Sequence, residues 1–219
     1  IAIVLQPLRE EFDKKRDPTE IPRWSEFISN IKDVLSQGQR REMAIAAFSF
    51  VGMQSVYTNF TITYLYEDLG FSLEEAGEIL GFATLLAIPA RILWGWVGST
   101  IFQPRVLLAF LALVMAVSTA LMGAFDDQWG HVAVLIVNCA ISLSVLSWHG
   151  VLLSEAARLA PAGEAGRLTG GVLAFGALGQ IIFPMIFAAG YWLSGYGLAF
   201  TVISLPAAMV GVIFLLWRR

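Results

Sequence analysis

The sequence predicts an all-α polytopic membrane protein. Three observations carry this: long apolar blocks of membrane-spanning length, a shortage of charge, and Lys and Arg confined to alternate connections. Of 219 residues, 57% are hydrophobic and only 14% are charged, well below the quarter or so usual in a soluble domain. A disordered chain lacks apolar mass, so disorder is excluded. Cys139 is the single cysteine, which excludes a disulfide scaffold. Nucleic-acid binding needs a basic excess to neutralise phosphates; here 14 Lys and Arg face 17 Asp and Glu, for a net charge of −3.

The elements follow in order. Ile1 to Leu5 is apolar but too short to span, and reads as the stump of a preceding transmembrane helix, so the chain reads as a C-terminal fragment. Residues 6–42 read as a linker. Its first half, Leu8 to Thr19, is a mixed charge run around Pro7 and Pro18. From Ile21 the pattern changes: Ile21, Trp24, Phe27, Ile28, Ile31, Val34 and Leu35 recur at helical spacing, and Pro22 suits a first turn. This predicts an amphipathic helix over about 21–37, either lying in the membrane interface with Trp24 as anchor or packed on the ends of the spans.

Residues 43–219 are expected to form a six-helix bundle, with spans at about 43–66, 79–98, 105–125, 131–153, 168–193 and 197–217. Each block holds about 20 residues or more, the length a helix needs to cross ~30 Å of hydrocarbon. None alternates with the period of two that marks a barrel strand. Spans 2 and 5 share an oddity. Gly77 and Gly81 lie four apart in one, Gly166 and Gly170 in the other, and small residues at this spacing let helices approach closely. Gly81 precedes Pro89 by eight residues and Gly176 precedes Pro184 by eight. Each is the second of three spans and the two run in opposite directions, as an inverted 3+3 repeat requires.

The charge map sets the topology. Arg9, Lys14, Lys15, Arg16, Arg23, Lys32, Arg40 and Arg41 precede span 1, Arg105 follows span 2, Arg158 and Arg167 follow span 4, and Arg218 and Arg219 follow span 6. The other connections carry Glu67, Asp68, Glu74, Glu75, Asp126 and Asp127 and no base. Cytoplasmic loops collect positive charge. Both chain ends are therefore expected in the cytoplasm, with the bundle in a plasma membrane, the inner membrane in a bacterium.

A long linker, six spans and a cytoplasmic tail resemble the C-terminal half of a major facilitator superfamily transporter. The residues that carry the resemblance are Arg91-Ile92-Leu93-Trp94-Gly95-Trp96-Val97-Gly98-Ser99 at the end of span 2. In that family this helix ends in an Arg-x-x-x-Gly-x-x-x-Asp-type pattern followed by bases. Arg91 and Gly95 match, Ser99 stands where the Asp is expected, and Thr100 stands where a base is expected. A second match runs from Trp148 through Glu155 and Arg158 to Pro161, with Arg167 beyond, and resembles the end of the fourth helix of a half. The resemblance implies half of a 12-helix fold, an N-terminal six-helix half as partner, alternating access, and a cytoplasmic gate made by Glu155, Arg158 and Arg167.

No His-Glu-x-x-His, paired Cys-x-x-Cys, Gly-Lys-Ser/Thr loop or Gly-x-Ser-x-Gly elbow occurs. No enzyme, catalytic residue, metal or cofactor is expected. Asn59-Phe60-Thr61 fits a glycosylation triplet but lies inside span 1.

Arg91 lies eight residues before Ser99, ~12 Å inside its helix end. A charge at that depth faces a cavity or a partner. One reading is anion binding by its planar fork; the other is a structural Arg that snorkels or pairs with Glu155. Monocarboxylate-type members of the resembled superfamily carry a substrate-binding Arg at a similar place and a proton-coupling Asp one turn earlier; here that position is Ala87.

Asn138, Ser142, Val145 and His149 share a face of span 4, and His149 is either a proton carrier or a helix-contact His. Gln54, Tyr57, Thr58 and Thr61 share a face of span 1. Polar faces in lipid turn inward, and the resemblance places both helices around a central cavity. Gln54, Asn138 and Ser142 are thus expected to line an open concave face.

The substrate-binding candidates are Arg91, Gln54, Tyr57, Asn138, Ser142 and His149. The function expected is a secondary active transporter moving a small solute, an organic anion being favoured by Arg91, with a coupled proton as a further partner. The alternative is a non-transporting membrane sensor or assembly subunit of the same fold. Cysteines placed near Asp127 and near Arg167 should label from opposite sides of the membrane; labelling of both from one side would remove the six-span topology.

Overall fold

The structure, a computed structural model, describes residues 24–126 and 128–216, and no strand occurs among them. The stump at Ile1 to Leu5, the linker's charge run, Ile21, Pro22 and Asp127 lie outside the described residues, as do Arg218 and Arg219. The helices are α1 Trp24–Ser36, α2 Gly38–Glu67, α3 Leu73–Thr100, α4 Pro104–Met122, α5 His131–Val145, α6 His149–Arg158 and α7 Ala165–Leu216. Four segments are long and apolar enough to cross a membrane by length and composition: Leu73–Thr100, Pro104–Met122, His131–Arg158 and Ala165–Leu216. Large apolar side chains cover their outer faces, among them Leu85, Ile88, Ile92, Ile181, Met185 and Met209. A surface of that kind suits lipid rather than water.

Local chemistry sets the ends and breaks. α3 opens on a capping box: the Glu75 backbone N–H donates to the Ser72 hydroxyl at 3.2 Å, and the Ser72 N–H donates to the Glu75 carboxylate at 2.8 Å. α4 opens with Pro104 in its first turn. The 52 residues of α7 would reach ~78 Å as a straight helix, more than twice the hydrocarbon depth. The chain reverses instead at Ser194 and Gly195, where Gly195 has φ 79° and ψ −172°, a conformation open to glycine and closed to side chains with a Cβ. The two arms, 165–193 and 196–216, fold back on each other, with the Tyr191 and Tyr196 rings 4.5 Å apart.

One expectation changes. Residues 131–153 read as one continuous helix, but the chain turns at Leu146 and Ser147 between α5 and α6.

Glycine governs the packing. A Cβ at Gly179 would collide with the Phe48 carbonyl, one at Gly176 would lie 2.7 Å from Val51, and one at Gly52 would enter the Phe183 ring. The first arm of α7 therefore lies backbone to backbone on α2. Lipid supplies no hydrophobic drive between helices, so close approach and dispersion hold them. Gly211 does the same for the second arm against Leu113 and Ala109 of α4. By contrast, a Cβ at Gly77, Gly81, Gly166 or Gly170 would meet nothing within 4 Å. The small-residue pairs singled out in the sequence are not helix contacts within this bundle.

The two ends differ in charge. Arg40, Arg105, Arg158 and Arg167 gather at one end, where Arg40 reaches the Leu159 carbonyl and Arg105 the Phe214 carbonyl. Glu67, Asp68, Glu75 and Asp126 lie at the other, where Tyr64 donates to the Met122 carbonyl and Tyr196 to Glu67.

Gly179→Ala should force α7 off α2 and destabilise the protein by about 1–3 kcal/mol. Gly77→Ala, with open space around it, should be neutral or slightly stabilising. Thermal unfolding of the two variants in detergent checks this, and equal losses would contradict the packing.

Candidate functional site

The turn between α5 and α6 organises the site. The Ser147 N–H turns back to the Ser144 carbonyl at 3.5 Å, so the Leu143 carbonyl loses its helical donor. The Leu146 carbonyl likewise lies outside both helices. Side chains of α3 take up both: Trp94 Nε1 donates to Leu143 at 2.8 Å and Arg91 Nε donates to Leu146 at 2.8 Å. A third bond runs the other way, from the Ser147 hydroxyl to the Ala87 carbonyl at 3.3 Å. Positions 87, 91 and 94 thus pair with 147, 146 and 143, the register of two antiparallel helices.

This places Arg91. Only its Nε is committed, and no carboxylate among the described residues pairs with it; the pairing with Glu155 considered from sequence does not form. Its two terminal nitrogens make no hydrogen bond to the described residues, and a guanidinium edge of this kind has the planar geometry that matches an oxyanion. His149 sits beside the same turn, half-buried and stacked on Trp148 with ring centroids 3.8 Å apart. Its buried Nδ1 makes no hydrogen bond.

The polar stripes of α2 and α5 meet each other. The Tyr57 hydroxyl donates to the Asn138 carbonyl at 3.3 Å and lies 3.0 Å from the Ser142 hydroxyl. Asn138 and Ser142 are both 0% exposed. They do not line an open concave face: the Ser142 hydroxyl pairs across the helix contact with Tyr57, while the Asn138 side-chain amide donates back to the Val134 carbonyl of its own helix at 2.9 Å. Gln54 is half-buried, with its carbonyl oxygen unpartnered. Thr58 and Thr61 bond back to their own helix, at the Gln54 and Tyr57 carbonyls.

The candidate gate residues fall in two groups. Glu155, 6% exposed, receives both ends of the Arg158 fork at 2.8 and 2.6 Å. Arg167 pairs with Glu164 at 3.2 Å and with Asp33 of α1 at 3.6 Å. Asp33 lies 3.9 Å from Arg40, whose Nε reaches the Leu159 carbonyl just past α6. Helix α1 is tied down here: Asn30 donates to the Arg167 carbonyl at 2.8 Å, and Val34 is buried beside Gly171. Trp24, Phe27, Ile28 and Leu35 remain exposed. Arg105 pairs with Glu42 and stacks over the Phe214 ring at 4.9 Å.

Ser147, Asp33 and Glu42 have no signal in the sequence, and the contacts of Trp94, Arg40 and Arg105, residues visible there only as part of a motif or of the charge map, emerge from the structure. Trp94 lies three residues after Arg91, so the two share a helix face; that spacing was the available signal.

No family model matches the chain. Over 138 residues it is 35% identical to the "Probable nitrate/nitrite transporter NarK2" of Mycobacterium tuberculosis, in strain CDC 1551 / Oshkosh and in strain ATCC 25618 / H37Rv alike. The match takes in 62% of this chain and 33% of each relative, so the chain spans about a third of the length of the relatives it matches. This similarity to a transporter agrees with the long apolar helices, which suit an integral membrane protein.

Tyr57→Phe should cost about 1–2 kcal/mol, because the Ser142 hydroxyl would lose a partner in a buried contact. An unchanged melting temperature would show that the α2–α5 contact does not depend on this bond.

Proposed function

We propose that the chain is the C-terminal half of a major facilitator superfamily secondary transporter for a small oxyanion of the nitrate and nitrite class. In this reading α2, α3, α4, α5 with α6, and the two arms of α7 are six spans arranged as an inverted 3+3 repeat. Both chain ends lie in the cytoplasm, the membrane being the plasma membrane, inner in a bacterium. An N-terminal six-helix half packs on the face that α3 and the first arm of α7 leave open. Substrate binds between the halves, and the halves rock around it.

The observation that carries the reading is the Arg91 side chain. It is anchored by Nε on the Leu146 carbonyl at 2.8 Å and turns a guanidinium edge without a carboxylate partner outward from α3. The relatives' printed name supplies the substrate class and replaces the organic anion expected from sequence alone. A charge at this depth is costly to keep without a purpose. His149, with an unpartnered Nδ1, is the group in this half for a coupled proton. Tyr57, Asn138 and Ser142 support the site by locking α5 to α2, and Gln54 stands between that contact and the open face. The Glu155–Arg158 pair and the Arg167 group close the cytoplasmic end and release as the halves separate.

The test is nitrate binding by the full-length protein, followed as ligand-dependent thermal stabilisation. Arg91→Ala should abolish it, because the anion would lie unpaired in a low-dielectric site. Arg91→Lys keeps charge but loses the fork, and should weaken binding about tenfold or more. Without nitrate, Arg91→Lys should melt near the parent temperature, and Arg91→Ala, which leaves the Leu146 carbonyl without its donor, should melt lower yet remain folded. Undiminished nitrate stabilisation in Arg91→Ala would overturn the assignment.

A further inference from the structure

The antiparallel bonds between α3 and the α5–α6 turn do more than fasten two helices. Trp94 and Arg91 occupy one face of α3, three residues apart, and their acceptors Leu143 and Leu146 are also three apart. The two bonds are equal in length, 2.8 Å each. The Trp94 ring is held from the other side by Phe110 of α4, centroid to centroid 6.1 Å with an edge-on approach. Its N–H direction is therefore set by packing.

We infer that Trp94 is a positioning residue for the anion site: by holding the Leu143 carbonyl it keeps the α5–α6 turn open, and the open turn presents the Leu146 carbonyl that orients Arg91. The inference rests on the anion-binding reading of Arg91. Without the indole N–H, the Leu143 carbonyl would be left in a low-dielectric contact with no donor, a cost that drives rearrangement. The donor that a regular helix would supply is the Ser147 N–H, now on the Ser144 carbonyl at 3.5 Å. Taking it rewinds the turn towards continuous α-helix. In such a helix the Leu146 carbonyl accepts from the Gly150 N–H, four residues on. It then points along the helix axis, away from α3. Arg91 would lose its anchor, and its long side chain would recover the rotamer freedom that the anchor removes. Substrate would then bind to a mobile fork and not to a fixed one.

Nothing in this chain of bonds requires Trp94 to touch the anion, so its signature is dependence on Arg91. The experiment is a double-mutant cycle in the full-length transporter, reading nitrate KM and maximal uptake rate in proteoliposomes, with melting temperature measured without nitrate. Trp94→Phe keeps the ring against Phe110 and removes only the N–H. It should raise the nitrate KM about tenfold, the scale of one misaligned charge-assisted bond, with little change in maximal rate. Trp94→His restores a ring N–H donor and should recover part of the loss. In Arg91→Lys with Trp94→Phe, the KM should be no worse than in Arg91→Lys alone. Additive losses, or a Trp94→Phe protein with unchanged KM, would overturn the inference. So would a Trp94→Phe protein that fails to reach the membrane or melts early while its nitrate KM holds, since that marks a structural brace only. If Arg91→Lys by itself leaves the KM unchanged, the anion reading of Arg91 falls first, and this inference falls with it.

Discussion

A backbone carbonyl surrounded by hydrocarbon and protein must find a donor, and the α5–α6 turn leaves the Leu143 and Leu146 carbonyls without their helical ones. The site follows from that constraint. Trp94 and Arg91 supply the donors from α3, so α3 is fixed in register against α5, and Arg91 is fixed in direction. The magnitudes are balanced. Placing an Arg near the middle of a span costs about 2.5–3.5 kcal/mol on insertion scales, and a hydrogen bond from a charged group returns about 1.5–3 kcal/mol. One such bond nearly offsets the cost of the charge. It also leaves the terminal nitrogens of the guanidinium uncommitted.

The scaffold around the site uses glycine in two ways. Gly52, Gly176 and Gly179 let α2 and the first arm of α7 touch along their backbones, where even one added carbon collides. Gly77, Gly81, Gly166 and Gly170 have open space around them. The first set makes a tight α2–α7 pair. The second lies on faces of α3 and of the start of α7 that no other helix of this bundle covers closely. At the basic end, Arg40 ties α2 to the end of α6, and Asp33 draws in α1 and Arg167. Movement of α6 therefore bears on helices α1, α2 and α7 through side chains already in contact.

Sequence made the bulk of the fold legible, because hydropathy blocks and the sign of the connections are additive properties of composition. The blocks at 168–193 and 197–217 correspond to the two arms of α7, and Gly195 marks the reversal. The α5–α6 turn was not legible. No Pro interrupts 131–153, and the bonds that join the turn to α3, at Leu143, Leu146 and Ser147, exist only in the assembled bundle. Arg91 stood out because charge in an apolar block is conspicuous. Its partner did not, because a backbone carbonyl has no signature in sequence. The stripe of Asn138 and Ser142 is buried, but against other helices and not around a cavity: Ser142 meets the Tyr57 hydroxyl, and the Asn138 amide turns back to Val134. Periodicity gives the face of a helix, while the neighbour that covers that face is a property of the assembled bundle.

The central claim is that the full-length protein carries nitrate or nitrite across a membrane. The most direct measurement is the flux of isotopically labelled nitrate into liposomes that contain the purified full-length protein. The account predicts saturable uptake that unlabelled nitrite competes away and that larger carboxylates do not. Uptake no greater than in protein-free liposomes, under gradients of proton and of nitrite in either direction, would contradict it.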